Sequence, residues 1–432
     1  MLIRFGCSNF RSISEYQEVL FTATTLKDQQ SELIEAEGFN LPLLSSLAIY
    51  GANASGKTNI LLALQKLIHL VLTSHTRGNT TGVNRTTFKL DDSYLEKESE
   101  FDIDFIFKGK HYHYGFKIND EIIIEEWLFS YTYSNRKSRK ILFHRDSKES
   151  KAFYYGKGLK GRNKIIQDIV RPNSLFLSAA AQNNHEILKG IYDFLKDHFR
   201  FRFSQDTHEV QIAETLQDSK NIGNIIGFLE NLDTGIKKIE IKNQPLSEKR
   251  RKVMKGITRI INENLEDSQA DLFSTPDEMK ELHLYHDSSD GKLVKFSLDE
   301  ESLGTRSAIA LLIPIFHVLS NGGTLIVDEL ESSLHALLTL QMIKLFSQRE
   351  TNPNGAQLLF STHETNVLCS DILRRDQIWL TEKCLAGNSI LTPLTDFKLR
   401  KEFNIQSGYL EGRFGGIPFF GDINKLFNKG VE

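Results

Sequence analysis

The stretch Gly51-Ala52-Asn53-Ala54-Ser55-Gly56-Lys57-Thr58-Asn59 constrains this chain more than any other. It matches G-x-x-x-x-G-K-[ST] in full, follows the apolar run "SLAIY" and leads into "NILLALQKLIHL", whose apolar residues recur at helical spacing. A strand, a glycine-framed loop and a helix are therefore expected in that order. Glycines let successive backbone N–H groups converge on phosphate oxygens, and the helix N-terminus adds partial positive charge. On this reading Gly51 to Asn59 hold a nucleotide, Lys57 reaches the β and γ phosphates, and Thr58 ligates Mg²⁺.

Such a loop needs a carboxylate at the end of a neighbouring strand. "TLIVDE" supplies four apolar positions and then Asp328 and Glu329. Alone, this would be a buried strand ending in a solvated acidic turn. Paired with the loop, Asp328 is expected to support the metal and Glu329 to polarise the attacking water. G-domain switches place their water with a Gln and have no such acidic pair, so ATP is favoured over GTP. In "LLFSTHE", His363 follows another apolar run, where an imidazole could contact the γ-phosphate. "ESLGTRSAIAL" puts Ser302 and Gly304 at the start of a helix, a second anion-binding N-terminus.

The rest of the chain reads as alternating layers. Residues 1–50 give short strands, and 98–133 alternate in period two, as an antiparallel meander does. Residues 185–280 read as mostly helical, with "EILKGIYDFLKDHF", "IGNIIGFLENL" and "EKRRKVMKGITRIINENL" as its segments. A hairpin at "HLYHDSSDGKLVKFSL" precedes the alternation of helix and strand that ends with "QIWLTEK". The expected fold is α/β, divided into 1–184 (first part of a nucleotide-binding domain with phosphate loop and meander), 185–285 (helical lobe) and 286–432 (its second part).

With 53 Lys plus Arg against 56 Asp plus Glu, the net charge of -3 gives no global reason to expect nucleic acid. Residues 136–164 are a local exception, basic and interleaved with Phe143, Phe153, Tyr154 and Tyr155. That mixture suits backbone contact and stacking on DNA or RNA, and equally the docking of an acidic protein. Cys7, Cys369 and Cys384 are scattered, which suggests neither disulfides nor a zinc site and fits a reducing cytoplasm. The longest apolar candidate, "AIALLIPIFHVL", is short for a membrane span and contains a proline, so no membrane is expected.

Phosphate loop, Ser-x-Gly helix start, Asp-Glu strand, "ESSLH" and "STHE" in that order resemble an ABC-type ATPase of the SMC and RecF branch. That resemblance implies two facing nucleotide domains, with Ser302 and Gly304 completing the partner's site in trans, residues 331–335 as the D-loop and His363 as the switch histidine. It makes Gln182, in "FLSAAAQNNHE", the candidate Q-loop glutamine for nucleotide and metal. The signature reads Ser-Leu-Gly-Thr rather than Leu-Ser-Gly-Gly, and sustained heptads are absent, so no long coiled coil is expected. "SNFRSI", "YGANASGKTN", "LSAAAQNN", "DELESSLH", "STHETNVL", "QIWLTEK" and "YLEGRFGGIPFF" together resemble bacterial AAA15-type ATPases of the RloA, AbiL and AriA kind. That likeness implies an ATPase of anti-phage, abortive-infection defence, assembling as a homodimer or higher oligomer beside a separately encoded effector, commonly a Toprim nuclease, and answering a phage trigger. The alternative is a RecF-like ATPase acting directly on DNA; a transporter subunit fits the meander and tail poorly. The tail around Arg413 reads either as a docking segment or as a contact to nucleotide or partner.

Overall fold

In a computed structural model, the chain divides into two compact units. The first comprises residues 1–204, 318–331 and 339–432, and the second comprises 205–317 and 332–338. The structure describes residues 1–417 except 27–31, 77, 79–80, 134–136, 204–215, 217–220, 232–233, 246–247, 249–250, 254, 257–277, 370–371 and 401–402. Strands are numbered along the chain.

Two sheets build the first unit. The first, mostly parallel, has the order β16 (Ser389–Pro393), β15 (Ile378–Lys383), β3 (Ser46–Gly51), β14 (Gln357–Ser361), β13 (Thr324–Val327), β9 (Phe199–Arg202). Its neighbours pair in parallel except β16, which closes an antiparallel hairpin with β15. Every residue of β3, β13 and β14 is buried. Parallel strands covered on both faces are mostly apolar, which is why their centres read as unbroken runs rather than alternations.

The second sheet is antiparallel, in the order β2 (Gln17–Leu20), β1 (Leu2–Ser8), β4 (Ser99–Phe107), β5 (Lys110–Ile118), β6 (Ile123–Tyr133), β7 (Lys137–Asp146), β8 (Phe153–Tyr155). Alternate residues Phe101, Ile103, Phe105, Tyr114 and Phe116 enter one core with the buried face of helix α1 (Lys57–Thr73), formed by Ile60, Leu61, Leu64, Leu67 and Ile68. The other face carries charge. Arg4 ion-pairs with Asp102 and, at 2.6 Å, with Asp104, and His111 bonds Asp104 at 2.6 Å. Burial raises the Asp104 carboxyl, but the His111 hydrogen bond, His113 and Arg4 outweigh it and leave the pKa below the usual carboxylate range.

The basic stretch is differently built from its sequence appearance. Phe143 lies in the core, Phe153 and Tyr155 pack against it, and of the four aromatics only Tyr154 is exposed, at 56%. Arg145 is buried and donates to the Ser174 carbonyl at 2.7 Å. Arg139 and Lys140 are exposed, with the Arg139 guanidinium over the Phe129 ring, while Arg136 lies outside the described residues.

The second unit contains helix α4 (Ile222–Glu230) and the antiparallel sheet β10 (Ile236–Pro245), β11 (Glu278–Asp287), β12 (Leu293–Ser297). Among the described residues, 185–285 are thus not wholly helical. Their first segment, helix α3 (Leu188–His198) and β9, belongs to the first unit, and β10 is a strand where helix was expected. A β-bulge between Ile236 and Lys238 accounts for the misreading, because the extra residue lets Ile236 and Ile239 both be buried at a helix-like step of three. Most of the segment expected as a helix over 248–265 lies outside the described residues.

Helix α5 (Leu303–Asn321) is the longest described helix at 19 residues, so no long coiled coil occurs among the described residues. Its length and apolar composition would suffice to cross a membrane, but half of that stretch is buried inside the protein, as in a core helix.

Candidate functional site

Residues 52–56 link β3 to α1 at the carboxyl end of the parallel strands, where α/β sheets bind ligands. Gly56 caps α1 with φ 114°, and a Cβ there would collide with the Ser389 hydroxyl, so both conformation and space demand glycine. The loop is braced from behind by the β15–β16 hairpin. Ser55 and Thr381 hydroxyls bond at 2.6 Å, Ser389 Oγ donates to the Ser55 carbonyl at 2.5 Å, and Ser12 Oγ accepts from Asn59 Nδ2 at 2.7 Å. Asn59 therefore braces the loop through the Asn9-Phe10-Arg11-Ser12 turn.

Lys57 is buried, its Nζ donating to the carbonyls of Gly51 (2.8 Å) and Ala52 (3.1 Å). Burial lowers its pKa to about 8, against the opposing pull of Asp328, Glu329 and Glu331. Thr58 Oγ1 donates to the Asp328 carboxylate at 3.0 and 3.2 Å. These two hard oxygen donors, side by side at the loop's edge, fit Mg²⁺. Asp328 is oriented by Ser361 Oγ, which donates to it at 2.6 Å and accepts the Glu329 N–H at 2.8 Å.

Glu329 is exposed, and its backbone sits at φ 52°, a left-handed conformation that a non-glycine residue adopts at a cost. The neighbouring bonds hold it there. Leu330 N–H donates to the Ser361 carbonyl at 3.1 Å, while His363 N–H donates to Glu331 Oε1 at 2.6 Å. Burial, and then the Lys57 charge, lower the His363 pKa, so the imidazole is neutral at pH 7.

The structure thus brings Lys57, Thr58, Asp328, Glu329 and His363 to one place and adds Ser361, which the sequence reading gave no role, and Glu331, which it placed in the D-loop. Gln182 does not join them. It ends helix α2 (Phe176–Gln182), which is pinned at its start by Glu126 accepting from the Phe176 and Leu177 N–H groups, and along its side by Ser178 Oγ donating to the Val71 carbonyl at 2.5 Å. Gln182 bonds Tyr192, whose hydroxyl donates to the Leu72 carbonyl. Leu72 is fourteen residues beyond Thr58 on α1, roughly 21 Å along the axis at the helical rise per residue. Assignment of Gln182 to nucleotide or metal is therefore incorrect.

Ser302 and Gly304 belong to the second unit and do begin a helix. Ser302 Oγ accepts the Thr305 N–H at 3.0 Å as an N-cap to α5, and a Cβ on Gly304 would lie 3.1 Å from the Ser333 carbonyl. Leu303 beside them and Leu337 are large apolar residues exposed at 55% and 65%.

Comparison with solved structures finds the SMC head bound to the C-terminal winged-helix domain of ScpA, at 12% identity and a TM-score of 0.40, covering 92% of this chain and 99% of that one. It also finds the SMC head domain from Thermotoga maritima, at 13% identity and a TM-score of 0.36, covering 91% and 98%. Comparison with curated proteins gives no match. A family model described as "AAA domain, putative AbiEii toxin, Type IV TA system" matches residues 46–370, a span that includes the phosphate loop, both acids and the histidine. With well over half of its length matched, and the loop, the Thr58–Asp328 pair and the exposed glutamate in place, the chain belongs to that AAA-domain family.

Proposed function

We propose that this protein is an ATP-hydrolysing subunit of a bacterial anti-phage, abortive-infection system of the AAA15 type, which assembles when it binds ATP and controls a separately encoded effector. The observation that carries the ATPase reading is the bond from Thr58 to Asp328 with the exposed Glu329 next in sequence. A metal ligand pair and a free carboxylate beside the phosphate loop are what hydrolysis of a terminal phosphate requires.

Lys57, released from the Gly51 and Ala52 carbonyls, holds the terminal phosphate. Loop N–H groups and the N-terminus of α1 bind the remaining phosphate oxygens. Thr58 and Asp328 hold Mg²⁺, which when bound neutralises charge developing on the phosphates. Glu329 accepts a proton from the attacking water, and neutral His363 offers a hydrogen bond to the terminal phosphate.

Assembly as a homodimer rests on Ser302, Gly304, Leu303 and Leu337. A capped helix start with exposed apolar neighbours suits a surface that closes on another copy's nucleotide. A Toprim-type nuclease as effector, a phage-derived trigger and a cytoplasmic location extend this reading from the sequence resemblance. The exposed Arg139 and Lys140 favour a second reading, action on DNA as in RecF-like ATPases.

The test is affinity purification of tagged Glu329→Gln, expressed with its native flanking genes and held in Mg-ATP. A stoichiometric toxic partner supports the defence reading. Co-purified DNA on a homodimer, with DNA-stimulated hydrolysis by the wild type, replaces it with the second.

A further inference from the structure

The C-terminal segment meets the nucleotide site at a point the mechanism above does not use. Short helix α6 (Ile405–Leu410) is capped by Asn404, whose side chain accepts the Ser407 N–H at 2.9 Å, and is followed by a turn over Gly412–Gly416. That turn is fixed internally. Arg413 N–H donates to the Gly408 carbonyl at 3.0 Å, and buried Phe414 packs edge-on against Phe397 and Phe403. Gly412, Gly415 and Gly416 all have φ between 70° and 75°, conformations open to glycine and strained for other residues.

Tyr409 joins this turn to the phosphate loop. Its buried ring meets the ring of Tyr50, the residue before Gly51, edge-on at 5.6 Å. Its hydroxyl donates to the Gly416 carbonyl at 3.1 Å. A Cβ on Gly416 would stand 3.4 Å from Gly51 Cα and from the Thr381 carbonyl, so the turn lies in contact with the start of the loop. Gly51 is also the residue whose carbonyl receives Lys57. A displacement at Gly51 therefore moves both the loop backbone and the resting place of its lysine.

We propose that Tyr409 is a positioning residue for the nucleotide site: its ring packs on Tyr50 at the start of the phosphate loop and its hydroxyl bridges to the Gly416 carbonyl of the glycine turn, so that the docked C-terminal segment holds the loop in its binding conformation. This rests on the reading that Gly51 to Thr58 binds ATP. Coupling between two sites is reciprocal, so nucleotide in the loop also tightens the turn. The segment thereby registers whether the site is filled.

The experiment uses the full chain. Mg-ADP affinity, steady-state ATP hydrolysis and amide hydrogen exchange over 409–416 are measured for the wild type, Tyr409→Phe and Gly416→Ala. Tyr409→Phe keeps the ring against Tyr50 and removes the bridge. Loss of one buried hydrogen bond is expected to weaken Mg-ADP binding and raise KM about three- to tenfold, with kcat changed by less than about twofold. Gly416→Ala, strained in the turn, should shift affinity the same way. Saturating Mg-ADP should slow exchange over 409–416 in the wild type and do so less in Tyr409→Phe.

A purely structural tyrosine would lower thermal stability and leave affinity and the nucleotide dependence of exchange unmoved. Wild-type binding of Mg-ADP without any change in exchange over 409–416, or variants that bind as the wild type does, overturns the proposal and leaves the ATPase reading intact. A wild type that binds neither ADP nor ATP overturns both.

Discussion

Lys57 sits where two demands conflict. It must be charged to hold phosphate, yet burial lowers its pKa to about 8 in the free protein, with nearby Asp328, Glu329 and Glu331 only partly restoring it. The sign follows directly. Below about pH 8 the amine is already protonated, and above it anionic nucleotide must bring a proton with it. Nucleotide association should therefore fall about tenfold per pH unit above pH 8 and level off below it. Titration calorimetry between pH 6.5 and 9.5 in buffers of differing ionisation heat would show proton uptake only on the alkaline side; a flat profile contradicts the assignment. The same residues show what a linear reading can reach. Lys57, Thr58, Asp328, Glu329 and His363 stand at strand ends or loop positions whose chemistry is fixed by neighbours in sequence. The role of Ser361 was not legible, because it reaches Asp328 only through the parallel register that sets Val327 beside Phe360. Gln182 was misread for the converse reason: a polar residue after an apolar helix has no sequence mark of which end of α1 it meets.

At the level of elements, apolar runs identified β3, β13 and β14, and alternation identified β4, β5 and β6, where one face enters the apolar core and the other carries polar groups that are partly buried in their turn. Strand β10 escaped because its bulge shifts the period, and β9 because its four residues follow a helix without a break. The antiparallel sheet depends on more than its apolar face. Arg4 ion-pairs with both Asp102 and Asp104, each nearly buried. Arg4→Met keeps the side-chain stem and leaves two buried carboxylates without that partner. It should destabilise the fold by roughly 3–5 kcal/mol, read as a lower midpoint in denaturant. A loss under about 1 kcal/mol would show that His111 and His113 suffice. Because Asp104 is held below its ordinary pKa, its contribution is complete above about pH 4, the unperturbed range, and disappears as pH falls through the lower native value.

For the molecule as a whole, the proposed function would divide labour: the first unit would hold nucleotide, and the second would present Ser302, Gly304, Leu303 and Leu337 to another copy. Native mass of Glu329→Gln should double in Mg-ATP and revert in Mg-ADP. Leu303→Asp or Leu337→Asp should weaken that doubling at least tenfold in protein concentration while nucleotide binding by the monomer persists, because a charge in a closing apolar surface is costly. An unchanged monomer in Mg-ATP would remove assembly from the account. Underneath assembly, effector and trigger lies one chemical claim, that Glu329 activates water against a phosphate held by Lys57 and Thr58. The most direct measurement is ATP turnover by the purified wild type and Glu329→Gln, with Mg-ATP binding measured on both. The account predicts equal binding within about threefold and a loss of turnover of at least about 100-fold in the variant. Turnover by Glu329→Gln at the wild-type rate would contradict it.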